Sequence, residues 1–205
     1  MTARLAVLLS GGGTTLQNLL DRIDAGTLDA RVACVISSRE GVRGLERAAR
    51  HGLPAVALPR RSFPDHASFN GAVWAEIRKH TVDLVVLAGF MSLLDVPADF
   101  HNRIINVHPA LIPSFCGHKM YGHHVHEAVL AYGAKISGAT VHFVDGEYDH
   151  GPIILQGAVP VLDDDTPDTL ADRVQAMERE LYPRAIQLFA EGKLAVEGRR
   201  VRVRG

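Results

Sequence analysis

Short, unbroken apolar runs alternate with amphipathic stretches along the first half of the chain. Leu5 to Leu9 is the first run, and Ser10-Gly11-Gly12-Gly13 separates it from apolar residues at Leu16, Leu19 and Leu20, the period of a helix face. Val32 to Ile36 then reads as a second strand, Leu45 to His51 as a helix closed by Gly52, and Ala55 to Leu58 as a third strand. Phe69, Val73, Trp74 and Ile77 recur at helical spacing. Leu84 to Ala88 holds no polar residue, which is the pattern of a strand buried on both faces, and Ile104 to His108 is the next strand. Strands separated by helices pair in parallel, because the helix returns the chain to its starting end. The expected fold is α/β, a doubly wound and mostly parallel sheet, with ligands at the carboxyl ends of its strands.

Beyond Pro109 the pattern changes. A loop is expected from Pro113 to His123, a helix from Val125 to Tyr132, and two strands, Ala139 to Val144 and Ile153 to Val159, as an antiparallel C-terminal extension. Thr166-Pro167-Asp168 marks a helix start, with a capping hydroxyl, proline at the first helical position and an early acid. Leu170, Val174, Met177 and Leu181 give that helix one apolar face, Pro183 is expected to kink or interrupt it, and Gly192 to close it. Leu194 to Val203, turning at Glu197-Gly198, reads as a hairpin. No repeat, low-complexity tract or linker interrupts the 205 residues, so the expectation is one domain, with a phosphate-binding half over about residues 1–100 and a catalytic half over about 101–205.

Charge narrows the partners. With 22 basic and 23 acidic residues the net charge is −1, which leaves no footprint for nucleic acid or an anionic membrane, so small-molecule substrates are expected. Cys34 lies in a strand pattern and Cys116 in a loop, and both read as free thiols. Neither a charged leader followed by an apolar stretch nor a run of about 18 apolar residues occurs, and a cytoplasmic protein, monomer or homodimer, is expected.

Candidate chemistry gathers in three places. Three glycines before a helix let backbone approach a ligand, and the free N–H groups at the helix start suit a phosphate; a plain tight turn accounts for the same residues. The loop lacks the lysine of a triphosphate-binding loop and the spacing of a dinucleotide-binding one. Asn106 and His108 stand two apart in a strand and so share a face. With Asp149 from the segment Glu147 to Pro152 they supply an oxyanion donor, a proton-transfer group and a carboxylate, the set that transfer of a carbonyl group needs; solvated polar residues at a strand end and a turn are the competing account. No nucleophilic Ser or Cys is required if the substrate brings an amine. His118, His123, His124 and His126 crowd one stretch, but acidic or thiolate ligands at metal spacing are missing, so a polar surface loop is expected and no metal.

Taken together, residues 8–20, 85–94, 103–115, 138–156 and 174–183 resemble the folate-dependent phosphoribosylglycinamide formyltransferase family in composition and order. The resemblance implies a Rossmann-like formyltransferase fold and an enzyme of purine synthesis that moves a formyl group from the co-substrate 10-formyltetrahydrofolate to the amine of glycinamide ribonucleotide. It implies that Gly13, Thr14 and Thr15 hold the substrate phosphate, that Gln175 and Glu178 meet its ribose and phosphate side, and that Met91, Ser92, Leu93 and Leu94 border the pterin pocket. Backbone of Val144 and Asp145 completes that pocket, Asn106 touches the formyl donor, and His108 and Asp149 are the catalytic pair. The chain departs from the family's Gly-Ser-Asn at Gly13-Thr14-Thr15, carries Ser92 where the family has Arg, and has His66 where another folate-site Arg stands. Competing readings are a formyltetrahydrofolate hydrolase, a methionyl-tRNA formyltransferase and a non-catalytic nucleotide-binding module.

Overall fold

A computed structural model describes residues 2–205 of the chain; Met1 lies outside the described residues. They form nine strands and five α-helices: β1 (Ala3–Leu9), α1 (Thr14–Asp24), β2 (Ala30–Ser37), α2 (Arg43–Arg50), β3 (Ala55–Ala57), α3 (His66–Ile77), β4 (Leu84–Leu87), β5 (Ile104–His108), α4 (His123–Tyr132), β6 (Ile136–Phe143), β7 (Ile153–Pro160), α5 (Pro167–Ala190), β8 (Leu194–Glu197) and β9 (Arg200–Val203). The chain divides into two compact units, the first ending at Ile105 and the second beginning at Asn106.

In the first unit the strand order is β3-β2-β1-β4 and every pairing is parallel. The uniform apolar runs explain the placement: Leu5, Val7 and Leu8 of β1 and all of β4 are buried, so helices must cover both faces. Helix α1 buries Leu16, Leu19 and Leu20, and α3 buries Phe69, Val73, Trp74 and Ile77, the residues whose spacing predicted those faces. Burying a Leu or Phe side chain fully contributes about 1.5–3 kcal/mol, so these faces hold the helices on the sheet despite their modest lengths. Helix α3 also fixes the loop after β4. Asn70 Oδ1 accepts the Asp95 amide at 2.8 Å, and Trp74 Nε1 donates to the Asp95 carbonyl at 2.9 Å.

The second unit is built on β6 and β7, antiparallel over Ile136↔Pro160 to His142↔Ile153. Strand β9 joins β7 in parallel at Ile153↔Arg200 and pairs with β8 antiparallel, so the expected hairpin forms and docks on β7. Helix α5 lies across β6 and β7. Its start is the expected one: the Thr166 side chain accepts from the Thr169 amide in a reciprocal capping box, with Pro167 first in the helix. The interruption allowed for at Pro183 does not occur, and the helix runs 24 residues. A proline inside a helix costs about 3 kcal/mol or more, but Leu181, Tyr182, Pro183, Ala185 and Ile186 are all buried, and that packing outweighs the local loss. The helix approaches closely at Gly157, where a side-chain carbon would stand 2.3 Å from Met177 Sδ and 2.9 Å from Leu181 Cδ1.

Helix α4 also corrects an expectation. It begins at His123, two residues before the expected start, so His123 and His124 join the helix, and His126 is buried with Val125 and Val129 rather than on the surface.

Candidate active site

Strand β5 ends on Asn106 and His108, and both side chains turn toward Asp149 in the loop after β6. Asp149 Oδ2 lies 3.3 Å from His108 Nδ1, Asp149 Oδ1 accepts from Asn106 Nδ2 at 3.4 Å, and the Gly117 amide donates to Oδ2 at 3.0 Å. His108 is 3% exposed and the Asp149 side chain 9% exposed, so the pair is nearly out of water. The Asp149 backbone takes φ 53°, a left-handed conformation that Asp tolerates better than most residues. The three residues singled out in the sequence are therefore brought together.

A fourth residue completes the group. His142, 1% exposed in β6, places Nε2 3.3 Å from Asn106 Nδ2 and 3.7 Å from Asp149 Oδ1, while its Nδ1 lies 2.7 Å from the Phe143 carbonyl. That carbonyl can only accept, so the Nδ1 of His142 carries a proton. Sequence reasoning missed this residue. The available signal was the alternation of Thr140 and His142 with apolar Ala139, Val141 and Phe143, which puts the imidazole on the more polar face of the strand.

Burial sets the protonation of the group. It pushes the Asp149 carboxyl up, but contact with His142, the His108 charge and the Gly117 amide pull it down by more, and the carboxyl ends below its ordinary value. His108 moves down as well: burial disfavours the imidazolium more than Asp149 and the Phe115 carbonyl favour it. The ring meets two acceptors, Asp149 at Nδ1 and the Phe115 carbonyl at Nε2, 2.8 Å away. A neutral ring can donate to only one of them, so a proton gained by His108 is welcomed by two partners at once while burial resists it. Such opposed demands suit a histidine that takes a proton and releases it again.

The surroundings of Cys116 do not activate its thiol. Burial and the nearby Asp149 charge both push its thiol above the ordinary value, which keeps it protonated. Among the described residues no group of three or more His, Cys, Asp and Glu is arranged to hold a metal ion.

The other predicted positions are placed as follows. Gly13 precedes α1 with φ 69°, and Thr14 and Thr15 open the helix. Only glycine fits at Gly13, since a side-chain carbon there would stand 2.6 Å from Gly44 Cα. Arg47 of α2 donates to the Gly12 carbonyl at 3.0 Å, and the Gly44 amide to the Gly11 carbonyl at 3.1 Å, so α2 turns two loop carbonyls toward itself. Gln175 is exposed and Glu178 half-buried on α5, three residues apart and therefore neighbours on its surface. Burial pushes the Glu178 carboxyl up to about 7. Met91 is exposed, Ser92 and Leu93 half-buried, and Leu94 is sealed in the core at 1% exposure. His66 opens α3, where its Nε2 lies 2.9 Å from Asp95 Oδ1 and the ring meets Asn70. Val144 is buried, and Asp145 is exposed with its carboxylate on His150.

A parallel α/β unit and a buried Asn-His-Asp group that can move a proton at a carbonyl together describe an enzyme of carbonyl-group transfer. The formyl transferase family model matches residues 3–186, and the chain belongs to that family. The chain is similar to the phosphoribosylglycinamide formyltransferase of Haemophilus influenzae, with 35% identity over 196 residues that span 95% of this chain and 90% of the relative. The crystal structure of glycinamide ribonucleotide transformylase 1 from Symbiobacterium toebii superposes with a TM-score of 0.93 at 46% identity, covering all of this chain and 95% of that one. The bovine trifunctional purine biosynthetic protein adenosine-3 is 39% identical over 96% of this chain, which spans only 19% of that relative's length.

Proposed function

We propose that the chain is a phosphoribosylglycinamide formyltransferase: it transfers the formyl group of 10-formyltetrahydrofolate to the primary amine of 5'-phosphoribosylglycinamide, a step in the making of purines. The observation that carries the reading is the buried group of Asn106, His108, Asp149 and His142 in a member of the formyl transferase family. Relatives that bear this enzyme's name and match nearly the whole chain support the choice of acceptor.

The substrate amine attacks the formyl carbon, and the carbonyl oxygen becomes an oxyanion. Asn106 and His108 stabilise that oxygen. Nε2 of His108 is held by the Phe115 carbonyl, a neutral acceptor of the same kind as a formyl oxygen, so turnover requires the loop carbonyl to yield its place. The long contacts of Asn106, 3.3 and 3.4 Å, free its amide at little cost. The Asp149 carboxylate offsets the charge on His108 as the ring takes a proton. The amine loses a proton, the oxyanion re-forms the carbonyl as the bond from carbon to the folate nitrogen breaks, and that nitrogen gains a proton, leaving the formylated amine and tetrahydrofolate. Gly13, Thr14 and Thr15 hold the phosphate, with Gln175 and Glu178 on the ribose side. Met91, Ser92, Leu93, His66 and the Val144–Asp145 backbone receive the folate, and buried Leu94 anchors the segment that carries Met91 to Leu93. The balanced charge of the chain fits small-molecule substrates, no described helix is long and apolar enough to cross a membrane, and a cytoplasmic setting completes the reading.

One assay tests it. Protein is mixed with 10-formyltetrahydrofolate, with and without the ribonucleotide, and formylated product is followed beside free formate. Product that forms only with the amine present is expected. Formate released at the same rate without the amine would make the protein a hydrolase.

A further inference from the structure

Asp149 sits in a loop, residues 144–152, that is tied at three levels. At its base the Phe143 amide donates to the Pro152 carbonyl at 2.9 Å, and Gly151 packs so closely that a side-chain carbon there would stand 1.9 Å from the Phe143 oxygen. Within the loop, Asp145 accepts from the Glu147 amide at 3.2 Å and meets His150 Nδ1 at 2.7 Å. On the outside, Arg199 from the turn between β8 and β9 places one guanidinium nitrogen 3.1 Å from His150 Nε2 and another 2.7 Å from the His150 carbonyl. A guanidinium can only donate, so Nε2 must accept and the ring's proton sits on Nδ1, facing Asp145. The donor direction runs from Arg199 through His150 to Asp145 without a choice. His150 is the residue after Asp149, and the Ile153↔Arg200 pairing of β7 with β9 holds Arg199 in place.

We propose that Arg199 is a positioning residue for the formyl transfer: from the terminal hairpin it locks the His150 ring and carbonyl, and through them the left-handed Asp149 and the Asp145 backbone proposed to border the folate. The inference rests on the functional reading above. Arg199 lies past residue 186, where the family match ends, so the site would depend on a segment outside that span. His150 is half-exposed, and exposed ion pairs contribute little to stability. A small displacement of a reacting group, in contrast, costs turnover heavily. The two effects therefore separate.

Arg199→Ala should lower kcat roughly tenfold, the worth of about one hydrogen bond to a charged group, and raise the KM for folate. The KM for the ribonucleotide and the melting temperature should stay close to those of the unaltered protein. The acid limb of the kcat profile should move to higher pH as Asp149 loses part of its contacts. Arg199→Lys, which keeps the charge but loses the fork, should recover only part of the loss, and His150→Ala should reproduce the Arg199→Ala signature. Arg202→Ala, which breaks the Glu197 pair 2.9 Å long on β9, serves as the control and should leave kcat unchanged. An Arg199→Ala kcat equal to that of Arg202→Ala overturns the inference alone. So does a loss shared by both KM values and the melting temperature with an unmoved pH limb, which is a merely structural role. If the unaltered protein transfers no formyl group, the functional reading fails first and carries this one with it.

Discussion

At His108 two neighbours compete for one proton. Asp149 and the Phe115 carbonyl each accept, and burial makes the doubly protonated ring that would satisfy both costly. Removing the ring removes the group on which that competition turns, so His108→Ala should lose about 10²- to 10⁴-fold in turnover, and Asn106→Ala about 10²- to 10³-fold, with substrate affinity far less affected. Steady-state kcat and KM measured separately check this. His142 acts on Asp149: its contact leads the influences that hold the carboxyl down against burial. In His142→Asn the carboxyl rises, so the acid limb of the activity profile should shift to higher pH; a limb at the same pH would deny His142 that part. The pair Asn106 and His108 was legible because a strand places i and i+2 on one face. His142 was not, because nothing local distinguishes an imidazole that packs in a strand from one that reaches a carboxylate on another loop. His126 was read as a surface group from its crowded neighbourhood, yet it is 3% exposed, because it lies with Val125 and Val129 on the buried side of α4.

Among the elements, α5 joins stability to the proposed substrate contacts. Glu178 is half-buried on it, with a carboxyl raised to about 7 from an ordinary 4.5. A carboxyl raised in the folded state contributes stability that is whole below the unfolded value and is lost as pH rises through the folded value. Between pH 6 and pH 8.5 the melting temperature of Glu178→Gln should therefore gain on that of the unaltered protein, while its KM for the ribonucleotide rises; parallel melting curves across that range would contradict it. The start of this helix was plain from Thr166-Pro167-Asp168. Its passage through Pro183 was not, because a local rule about a missing N–H says nothing of the buried residues on either side. Strand β5 appears with the bounds expected from Ile104 to His108, since an apolar run ending on polar residues marks both limits.

For the whole chain, the alternation of apolar runs with helical periods was enough to read an α/β fold with an antiparallel extension, because parallel pairing requires a helix between strands and hairpins do not. The grouping of side chains from β5, β6 and two loops rests on long-range packing, which spacing alone does not express. Gly157 shows how far such packing reaches. The absence of a side chain at that one position is what lets Met177 settle on β7, and Met177 stands between Gln175 and Glu178. Any larger residue there would lift the helix like a wedge under a beam, and the surface proposed to recognise the ribose would drift out of register although every atom of that surface kept its identity. The two proposed contact residues thus hang on a silent position beneath them that has no room for even one more carbon.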